Sequence, residues 1–515
     1  MESRKLNRYD RQLRLWASTG QRNLENSHIC LINATSTGSE ILKNLVLPGI
    51  GQFTIIDDGK VDQSSLQGNF FLNRKNLHQS KSEAITEKLI ELNGDVKGIA
   101  LNKPITTFIN DSSFWDQFNV VIVSDYVENL SKLIDTLWDK QIPVLIVNTI
   151  GYYGSVNLIA NEITVIDTHD SQKLDELRID KPWPQLQSYV DSINLDELDE
   201  IDHAHVPYVI ILIKALNLWK LDHNGKPPSN YADKQKFKKY IENMSNDKFS
   251  EENFIEASQM IHRALKVTQI PHSIEKLFQS PNIIKIDQST SLFWIFVKAL
   301  KNFVEINGSL PLPGSLPDMV SDTQSYIKLQ TIYRNKAIQD QELFTTEVMK
   351  LLHSLNLSPD ATTQDSIKAF CKNSQLLFVS EGSKELLTQR LIMTLFEEND
   401  DNDDENFSIL AIYCAILNFN KFIELKHYRP SIDDFDEYVN IFVKSFGVKH
   451  QLTPAIVSTF KELLTHNESD YHNLNSLMGG VVSQEVLKLT TSQYTPLDNL
   501  FVFDGIRSMS SKWKI

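Results

Sequence analysis

Strand patterns and helix patterns alternate through about the first 170 residues of this chain. Short apolar runs, typical of strands buried on both faces, occur at 28–34, 52–58, 119–125 and 142–149, and a further strand pattern follows at 155–160. Helical spacing of apolar residues lies between most of these runs. Strands separated by helices in this way predict an α/β domain with a doubly wound parallel sheet.

The first helix of this region follows the run at 28–34, and Thr37 or Ser36 is a suitable N-cap for it. Two more helices are predicted at 81–93 and 129–140. Each begins soon after a polar turn and carries apolar residues three and four positions apart. These helices are expected to cover the faces of the sheet.

The domain organisation follows from a change of pattern along the chain. Helical patterns dominate from 205 to 465, whereas 476–491 reads as a helix and 495–505 as a strand. The simplest arrangement is a discontinuous α/β domain, 1–168 plus 470–515, with a large, mainly helical insertion at 169–469.

Composition excludes several classes of function. A net charge of −15 argues against a nucleic-acid-binding surface, because neutralising phosphates requires clustered Lys and Arg. The longest apolar runs are too short to span a membrane, and the first residues lack the apolar core of a signal peptide. Three cysteines form neither a disulfide framework nor a CxxC pair. We expect a cytosolic or nuclear protein.

The stretch LINATSTGSE at 31–40 lies where a nucleotide-binding domain carries a glycine-rich loop. Only Gly38 is a glycine, and Asn33, Thr35 and Ser36 would crowd a pyrophosphate. An acidic residue that could hold a ribose is present, since Asp57 ends the second strand. The sequence favours a degraded nucleotide site, although binding of phosphate by the Thr and Ser hydroxyls stays open as an alternative.

Other catalytic constellations are not evident in the sequence. The histidines are scattered without a metal-ligand spacing. Cys30 lies in the first strand, and Cys371 and Cys414 lie on apolar helical faces, where cysteine packs as a small hydrophobe. We expect all three thiols to be structural.

Residues 8–58, RYDRQLRLW through FTIIDD, resemble the start of the ubiquitin-like-modifier activating enzymes. Within that family, NLVLPGIGQFTIIDDGKV, GNFFL at 68–72 and LDELRIDKPWPQL at 174–186 resemble the regulatory subunits that serve the Nedd/Rub modifier. PGSLPDMVSDTQSYIKLQTIYRNKA at 313–337 and MGGVVSQEVLKL at 478–489 extend the likeness nearly end to end. The resemblance implies a Rossmann-like adenylation-type domain whose insertion corresponds to the catalytic-cysteine half-domain without the cysteine.

The resemblance also implies which positions of an ATP site have been lost. The active pattern has glycines in place of Asn33, Thr35 and Ser36, an Asp in place of Gly59, and an Arg in place of Gly68. Ser65 and Asn69 also stand in the active half's Asn-x-x-Arg-Gln segment, and Ile122 and Tyr126 replace an Asp and an Asn. Lys81 and Asp125 match a phosphate-binding Lys and a magnesium-binding Asp. A chain with these losses is expected to bind no cofactor and no metal, with ATP and Mg held by the partner subunit.

By the same resemblance, Arg11 of YDRQ matches an arginine that crosses to the partner's ATP site. The expected partners are a catalytic subunit in an obligate heterodimer, a Nedd/Rub-type modifier and, through the complex, a conjugating enzyme. The chain is then a non-catalytic scaffold half, and the NFF segment and the turn at 44–50 are candidates for its interface.

Three alternatives remain beside this reading. One is the corresponding subunit for the Sumo modifier, which YDRQLRLW alone would also fit. Another is a self-sufficient nucleotide-dependent enzyme, either an adenylating enzyme or an oxidoreductase. The third is an adaptor for signalling proteins without a conjugation role.

Overall fold

A computed structural model describes residues 2–169, 176–247, 251–394, 405–448 and 452–515. The chain forms two compact units. The first, called the sheet unit below, comprises residues 1–165 and 379–515, and the second, the helical unit, comprises residues 166–378. The α/β domain is therefore discontinuous, as its sequence pattern predicts.

In the first segment of the sheet unit, strands and helices alternate along the chain. The second segment is mainly helical. The strands are β1 His28–Ile32, β2 Gln52–Ile56, β3 Lys97–Leu101, β4 Val120–Ser124, β5 Val144–Ile150, β6 Tyr153–Ile159, β7 Glu162–Val165, β8 Phe378–Glu381 (which begins at the unit boundary), β9 Leu500–Asp504 and β10 Met509–Trp513. The helices before the insertion are α1 Glu2–Glu25, α2 Ser36–Val46, α3 Ser65–Gly68, α4 Lys81–Leu92, α5 Thr106–Ile109 and α6 Leu130–Asp139. Those after it are α17 Gln389–Thr394, α18 Glu405–Lys426, α19 Phe435–Ser445, α20 Pro454–Thr465 and α21 His472–Thr491.

The main sheet has eight strands in the order β10-β9-β6-β5-β4-β1-β2-β3. Strands β1 to β5 run parallel, whereas β6, β9 and β10 join as antiparallel neighbours. The prediction of a parallel sheet is thus correct for five of the eight strands. The antiparallel pairing begins at β6, because a tight turn joins β5 to β6 and returns the chain beside the strand it has just left.

Helices cover both faces of this sheet. On one face, α2 packs against α21, and the approach is close because Gly479 lies against the backbone of Glu40. On the other face, α6 contributes Leu133 and Leu137 to a core with Val121 of β4. Helix α2 near the start of the chain and α21 near its end therefore belong to the same helix layer.

The helices after the insertion pack on the antiparallel half of the sheet. Tyr413 of α18 is fully buried, and its hydroxyl lies 2.7 Å from Asn157 Nδ2 of β6. Leu500 and Val502 of β9 share a core with α18 and α20. The sequence predicts an insertion from 169 to 469. The unit boundaries instead lie at 165/166 and 378/379, because the apolar faces of α18 and α20 bury against the sheet.

The helical unit lies between the two segments of the sheet unit in the sequence. Its helices are α7 Pro184–Asp191, α8 Glu200–His203, α9 Tyr208–Asp222, α10 Tyr231–Asn243, α11 Glu252–Gln259, α12 Ile261–Ala264, α13 His272–Phe278, α14 Leu292–Asn307, α15 Thr323–Ser354 and α16 Gln364–Lys372. Helix α9 is buried along most of its length, which explains its continuous apolar sequence. Aromatic rings of α14, α15 and α16 meet at Phe296, Phe344 and Phe370.

Among the described residues, no helix combines the length and the apolarity that crossing a membrane requires.

Candidate functional site

A cleft of about 620 Å³ opens at the carboxyl ends of β1, β4 and β5, where a doubly wound sheet binds its ligands. The first turn of α2 forms one wall, and residues 467–470 before α21 form the wall opposite. The side chains around it are nearly all polar: Thr35, Ser36, Thr37, Ser64, Ser65, Gln67, Asn69, Lys81, Ser124, Asp125, Thr149, Arg429, Asn467, Glu468, Ser469, Asp470 and Asn475. The positions singled out by the sequence that line this cleft include Thr35, Ser36, Ser65, Asn69, Lys81 and Asp125.

The turn after β1 keeps a glycine-like backbone without the glycine. Asn33 has φ 68°, the left-handed region in which Asn is tolerated better than most residues. Its Nδ2 donates to Tyr126 O at 3.0 Å, which ties the end of β1 to the end of β4. The Asn33 side chain thus links the ends of two neighbouring strands by a hydrogen bond.

Asp57 serves the backbone of the same turn. One carboxylate oxygen accepts from Ala34 N at 2.7 Å and the other from Gly59 N at 2.6 Å. Both oxygens of the acid that could have held a ribose are therefore already engaged within the chain.

Helix α2 begins with a side-chain cap one residue earlier than expected. Thr35 is the N-cap, and its Oγ1 accepts from Gly38 N at 3.0 Å, so the prediction of Thr37 or Ser36 is wrong. Thr35 Oγ1 also lies 2.5 Å from Ser124 Oγ of β4. Thr37 is buried instead, with its Oγ1 2.9 Å from Asn475 Oδ1.

A carboxylate lies at the amino end of α2. Ser36 Oγ donates to Asp470 Oδ2 at 2.5 Å, and Asn475 Nδ2 donates to the other oxygen of Asp470. Negative charge is favourable at a helix N-terminus, since the first-turn amides carry partial positive charge. The hydroxyls that could have bound phosphate are thus hydrogen-bonded within the protein.

Gly68 faces this carboxylate. A Cβ built on Gly68 would lie 2.1 Å from Asp470 Cγ, so no side chain fits while Asp470 keeps its position. Its carbonyl lies 3.3 Å from His472 Nδ1, and Asn69 Nδ2 donates to Ser39 Oγ at 2.9 Å. The residue that replaces an arginine of the active pattern is therefore fixed by a contact to the opposite wall.

Asp125 forms an ion pair with Arg429, and its own backbone has φ 76°. The guanidinium contacts one oxygen of this carboxylate, and the other oxygen accepts from Tyr126 N at 2.8 Å. Lys81 borders the same cleft and begins α4, with Ser80 as its side-chain cap. The two surviving charged residues of the active pattern thus face one cleft.

These contacts do not fit a bound magnesium nucleotide. A triphosphate needs uncompensated cations and free amides, and its metal needs unpaired carboxylate oxygens. Here the carboxylate of Asp470 stands beside the helix terminus and a guanidinium stands beside Asp125. No group of three potential metal ligands occurs among the residues that the structure describes.

Arg11 lies away from this cleft. It is exposed on α1, and the described contacts include no ion pair for it. Two residues earlier, Tyr9 is 3% exposed, and its hydroxyl accepts from Asn93 Nδ2 at 2.9 Å. Positions two apart on a helix lie on nearly opposite sides, so the anchoring of Tyr9 directs Arg11 outward.

The three cysteines are all buried. Burial raises the pKa of the Cys414 thiol to about 12, and it raises the pKa of Cys30 and of Cys371 as well. A thiol with a raised pKa is a poor nucleophile at neutral pH. The burial agrees with the structural role expected from the sequence.

Sequence reasoning missed Asp470 and Arg429. They lie 434 residues from Ser36 and 304 residues from Asp125 in the chain, respectively. A sequence pattern cannot reveal such pairs, and neither residue stands in a recognisable motif. The packing of α21 against α2 brings Asp470 to the first turn of α2.

Comparison with known proteins adds three findings. Residues 9–515 match the ThiF family. The chain is 34% identical to the NEDD8-activating enzyme E1 regulatory subunit of Gallus gallus, over 100% of this chain and 99% of that protein. It is 32% identical to the regulatory subunit AXR1 of Arabidopsis thaliana and 28% to that of Saccharomyces cerevisiae, over 99% of this chain and 96% and 100% of those proteins.

Proposed function

This chain belongs to the ThiF family, among the NEDD8-activating enzyme E1 regulatory subunits, and on that premise we propose that it is the scaffold half of a heterodimer. Its catalytic partner adenylates the carboxyl terminus of the modifier, forms the thioester on its own cysteine and passes the modifier to a conjugating enzyme. ATP and Mg are held by that partner. The observation that carries this proposal is the self-occupied cleft, in which Ser36–Asp470 and Asp125–Arg429 contacts replace a nucleotide and its metal.

The chain itself binds no cofactor and makes no acyl adenylate. The charges of a magnesium–nucleotide site act only when they are assembled together. In this cleft the Asp470 carboxylate lies at the N-terminus of α2, and Asp125 after β4 is paired with Arg429. Lys81 remains, but a single cation is a weak anchor for a triphosphate.

The contribution to chemistry is assigned to Arg11, acting in the partner's ATP site. A guanidinium is always charged and binds phosphate oxygens with two parallel hydrogen bonds. Arg11 is exposed, while Tyr9 holds the same helix against α4. An exposed arginine on an anchored helix is suited to reach across an interface, as an arginine finger does.

Apolar side chains exposed on this chain support the proposal that a partner subunit covers part of its surface. Phe70 is 75% exposed and Leu47 is 46% exposed, whereas Phe71, next in the chain, is buried. An obligate dimer commonly buries more than about 2,000 Å² in total and has an apolar interface. We assign the NFF segment and the turn around Leu47 to that interface.

The decisive experiment is co-expression with candidate catalytic subunits, followed by a thioester assay with each modifier. NEDD8 should become thioester-linked to the catalytic subunit only when this chain is present. A complex that instead charges Sumo would contradict the assignment. Equilibrium dialysis of the isolated chain addresses the self-sufficient enzyme, because binding of ATP or NAD with a Kd of about 1–100 µM would favour that alternative.

Arg11 has a test of its own. We expect Arg11→Ala to slow ATP–pyrophosphate exchange by the heterodimer at least about tenfold, which corresponds to about 1.4 kcal/mol of transition-state stabilisation. The matched control is Arg14→Ala, an exposed arginine one turn further on that pairs with Asp10. Unchanged exchange in an intact Arg11→Ala dimer, or an equal loss in the control, would remove the role of Arg11.

A further inference from the structure

Helix α1 is interrupted by a kink at Trp16 and Ala17, which separates an N-terminal segment, residues 2–15, from a C-terminal segment, residues 18–25. Ala17 has φ 56° and ψ −176°, a backbone region that is nearly exclusive to glycine. An alanine keeps such a conformation only where its surroundings hold the chain in place. Contacts around the kink should therefore account for it.

A side chain from the far end of the chain contacts the kink. Gln493, 477 residues after Trp16, donates from Nε2 to the Trp16 carbonyl oxygen at 2.9 Å. The carbonyl groups in the last turn before a helix break lack helical donors, and Gln493 supplies one of them with a partner. Gly20 leaves the room that this contact needs, since a Cβ at position 20 would lie 2.8 Å from Trp16 Cβ and 3.1 Å from Gln493 Nε2. Gln493 is itself buried, so its amide group has little freedom to leave this position.

The two segments of α1 are anchored to different places in the sheet unit. In the C-terminal segment, Leu24 is fully buried, and Gln21 donates to the carbonyl of Pro48 at 3.2 Å. Gln21 Oε1 also accepts from Trp16 Nε1 at 3.0 Å, which ties the kink to this segment. In the N-terminal segment, Tyr9 is the buried anchor. The kink is therefore the joint between two separately anchored helical segments.

We infer that Gln493, acting through the kink, is a positioning residue for Arg11. Arg11 lies on the N-terminal segment between two fixed points, Tyr9 two residues before it and Trp16 five residues after it. One fixed point would allow the segment to pivot, whereas two fix its direction. A misplacement of about 1 Å at a reacting centre can slow a reaction about a hundredfold, so the second fixed point matters for a guanidinium that reaches across an interface. This positioning role rests on the proposed contribution of Arg11 to the partner's ATP site.

Removal of the hydrogen bond tests the role of Gln493. We would measure ATP–pyrophosphate exchange by the heterodimer carrying Gln493→Leu, which keeps the approximate size of the side chain but removes its donor. Exchange should slow about three- to tenfold, less than the full effect of a misplaced group, because Tyr9 still holds the segment. The matched control is Gln484→Leu, at an exposed glutamine of α21. Native exchange by an intact Gln493→Leu dimer, or an equal loss in the control, would overturn the inference.

A double variant separates positioning from a general structural role. If Gln493 acts through Arg11, then Gln493→Leu should cause no further loss in a dimer that already carries Arg11→Ala. Losses that multiply would show that Gln493 acts by another route, which contradicts positioning. If Arg11→Ala alone leaves exchange unchanged, the role of Arg11 and its positioning both fail. If Arg11→Ala slows exchange and Gln493→Leu does not, positioning fails alone and the proposed function stands.

Ala17 provides a second test, because its side chain is exposed and substitutions there act mainly through the backbone. Ala17→Gly should keep exchange within about twofold of native, since glycine adopts this conformation without strain. Ala17→Val should slow exchange at least about threefold, because a β-branched residue disfavours a positive φ and favours a different backbone at the kink. Equal rates in the two variants would refute a role for the kink. This pair keeps the test decisive if Gln493→Leu fails to fold.

The direction of the N-terminal segment can also be measured without the partner subunit. Nitroxide labels at Arg14→Cys and Gln484→Cys report its distance from α21 by electron spin resonance, and the three native cysteines are buried. We expect one narrow distance distribution in the otherwise native chain and a clearly broader one when Gln493→Leu is added. Identical distributions would show that Gln493 does not hold the segment, and the inference would then be wrong.

Discussion

The two parts of α2 differ sharply in what surrounds them. Its first turn faces a cleft in which hydroxyls, amides and charges of the chain bind one another, as Ser36 binds Asp470. Its middle packs on α21 with Gly479 against Glu40, so the two helices approach closely. In the first region polar groups of the chain bind one another, whereas the second provides close helix packing. We therefore expect the stability of the domain to depend more on the packed layers than on the cleft.

The largest expected effect lies in the packed layer. Gly479→Val should lower the free energy of unfolding by about 3 kcal/mol, because a Cβ at this position would lie 2.6 Å from Glu40 Cβ and 3.1 Å from its carbonyl carbon. Chemical denaturation of the isolated chain measures the change. The adjacent Gly480→Val is the matched control, since its Cβ would meet nothing within 4 Å. Similar losses for both variants would show that close helix packing is not the cause.

An intermediate effect is expected where Asp470 meets Gly68 at the end of α3. Gly68→Ala should cost about 1–3 kcal/mol through its clash with Asp470, and Gly94→Ala, whose Cβ has open space, serves as the control. In a double-mutant cycle with Asp470→Ala, the cost of Gly68→Ala should largely vanish. Additive losses would mean that the glycine is required for a reason other than the carboxylate.

The smallest effect is expected in the cleft itself. Asp125→Asn removes an ion pair whose members are 24% and 51% exposed, and such partly exposed pairs contribute about 0–1 kcal/mol. Asn is also well tolerated at the left-handed backbone of this position. Thermal unfolding and NEDD8 thioester formation should both stay close to native. A complete loss of thioester formation would indicate that Asp125 holds a metal ion in this chain. The cleft would then matter more for function than the comparison with the packed layer suggests.

How much of this could be predicted from sequence depends on how local each feature is. Strands β1 and β4 and helix α4 follow from short apolar runs and helical spacing, and all three lie where the pattern predicts them. Strand β3 was missed because KGIAL is a partly exposed edge strand without an apolar run. The cap at Thr35 was missed because three adjacent hydroxyl residues suit the same position.

The unpredicted parts of the site are long-range. The degenerate positions Asn33 and Gly68 could be named from the sequence, but their partners Tyr126 and Asp470 could not be assigned to them. Packing of α18 and α20 on β9 likewise depends on apolar faces whose target no local pattern specifies. These contacts form only when distant segments of the chain meet.

The order of strands in the sheet determines when each strand can find its neighbour during translation. Strand β6 is buried along its whole length, and its outer neighbour β9 begins at Leu500, 341 residues after β6 ends at Ile159. At about 5–20 residues per second, a ribosome needs roughly 17–70 s to supply that neighbour. Throughout this interval the nascent sheet has an open hydrogen-bonding edge of the kind that promotes aggregation. The growing chain therefore depends on its helical segments, or on a chaperone, to cover that edge until translation ends.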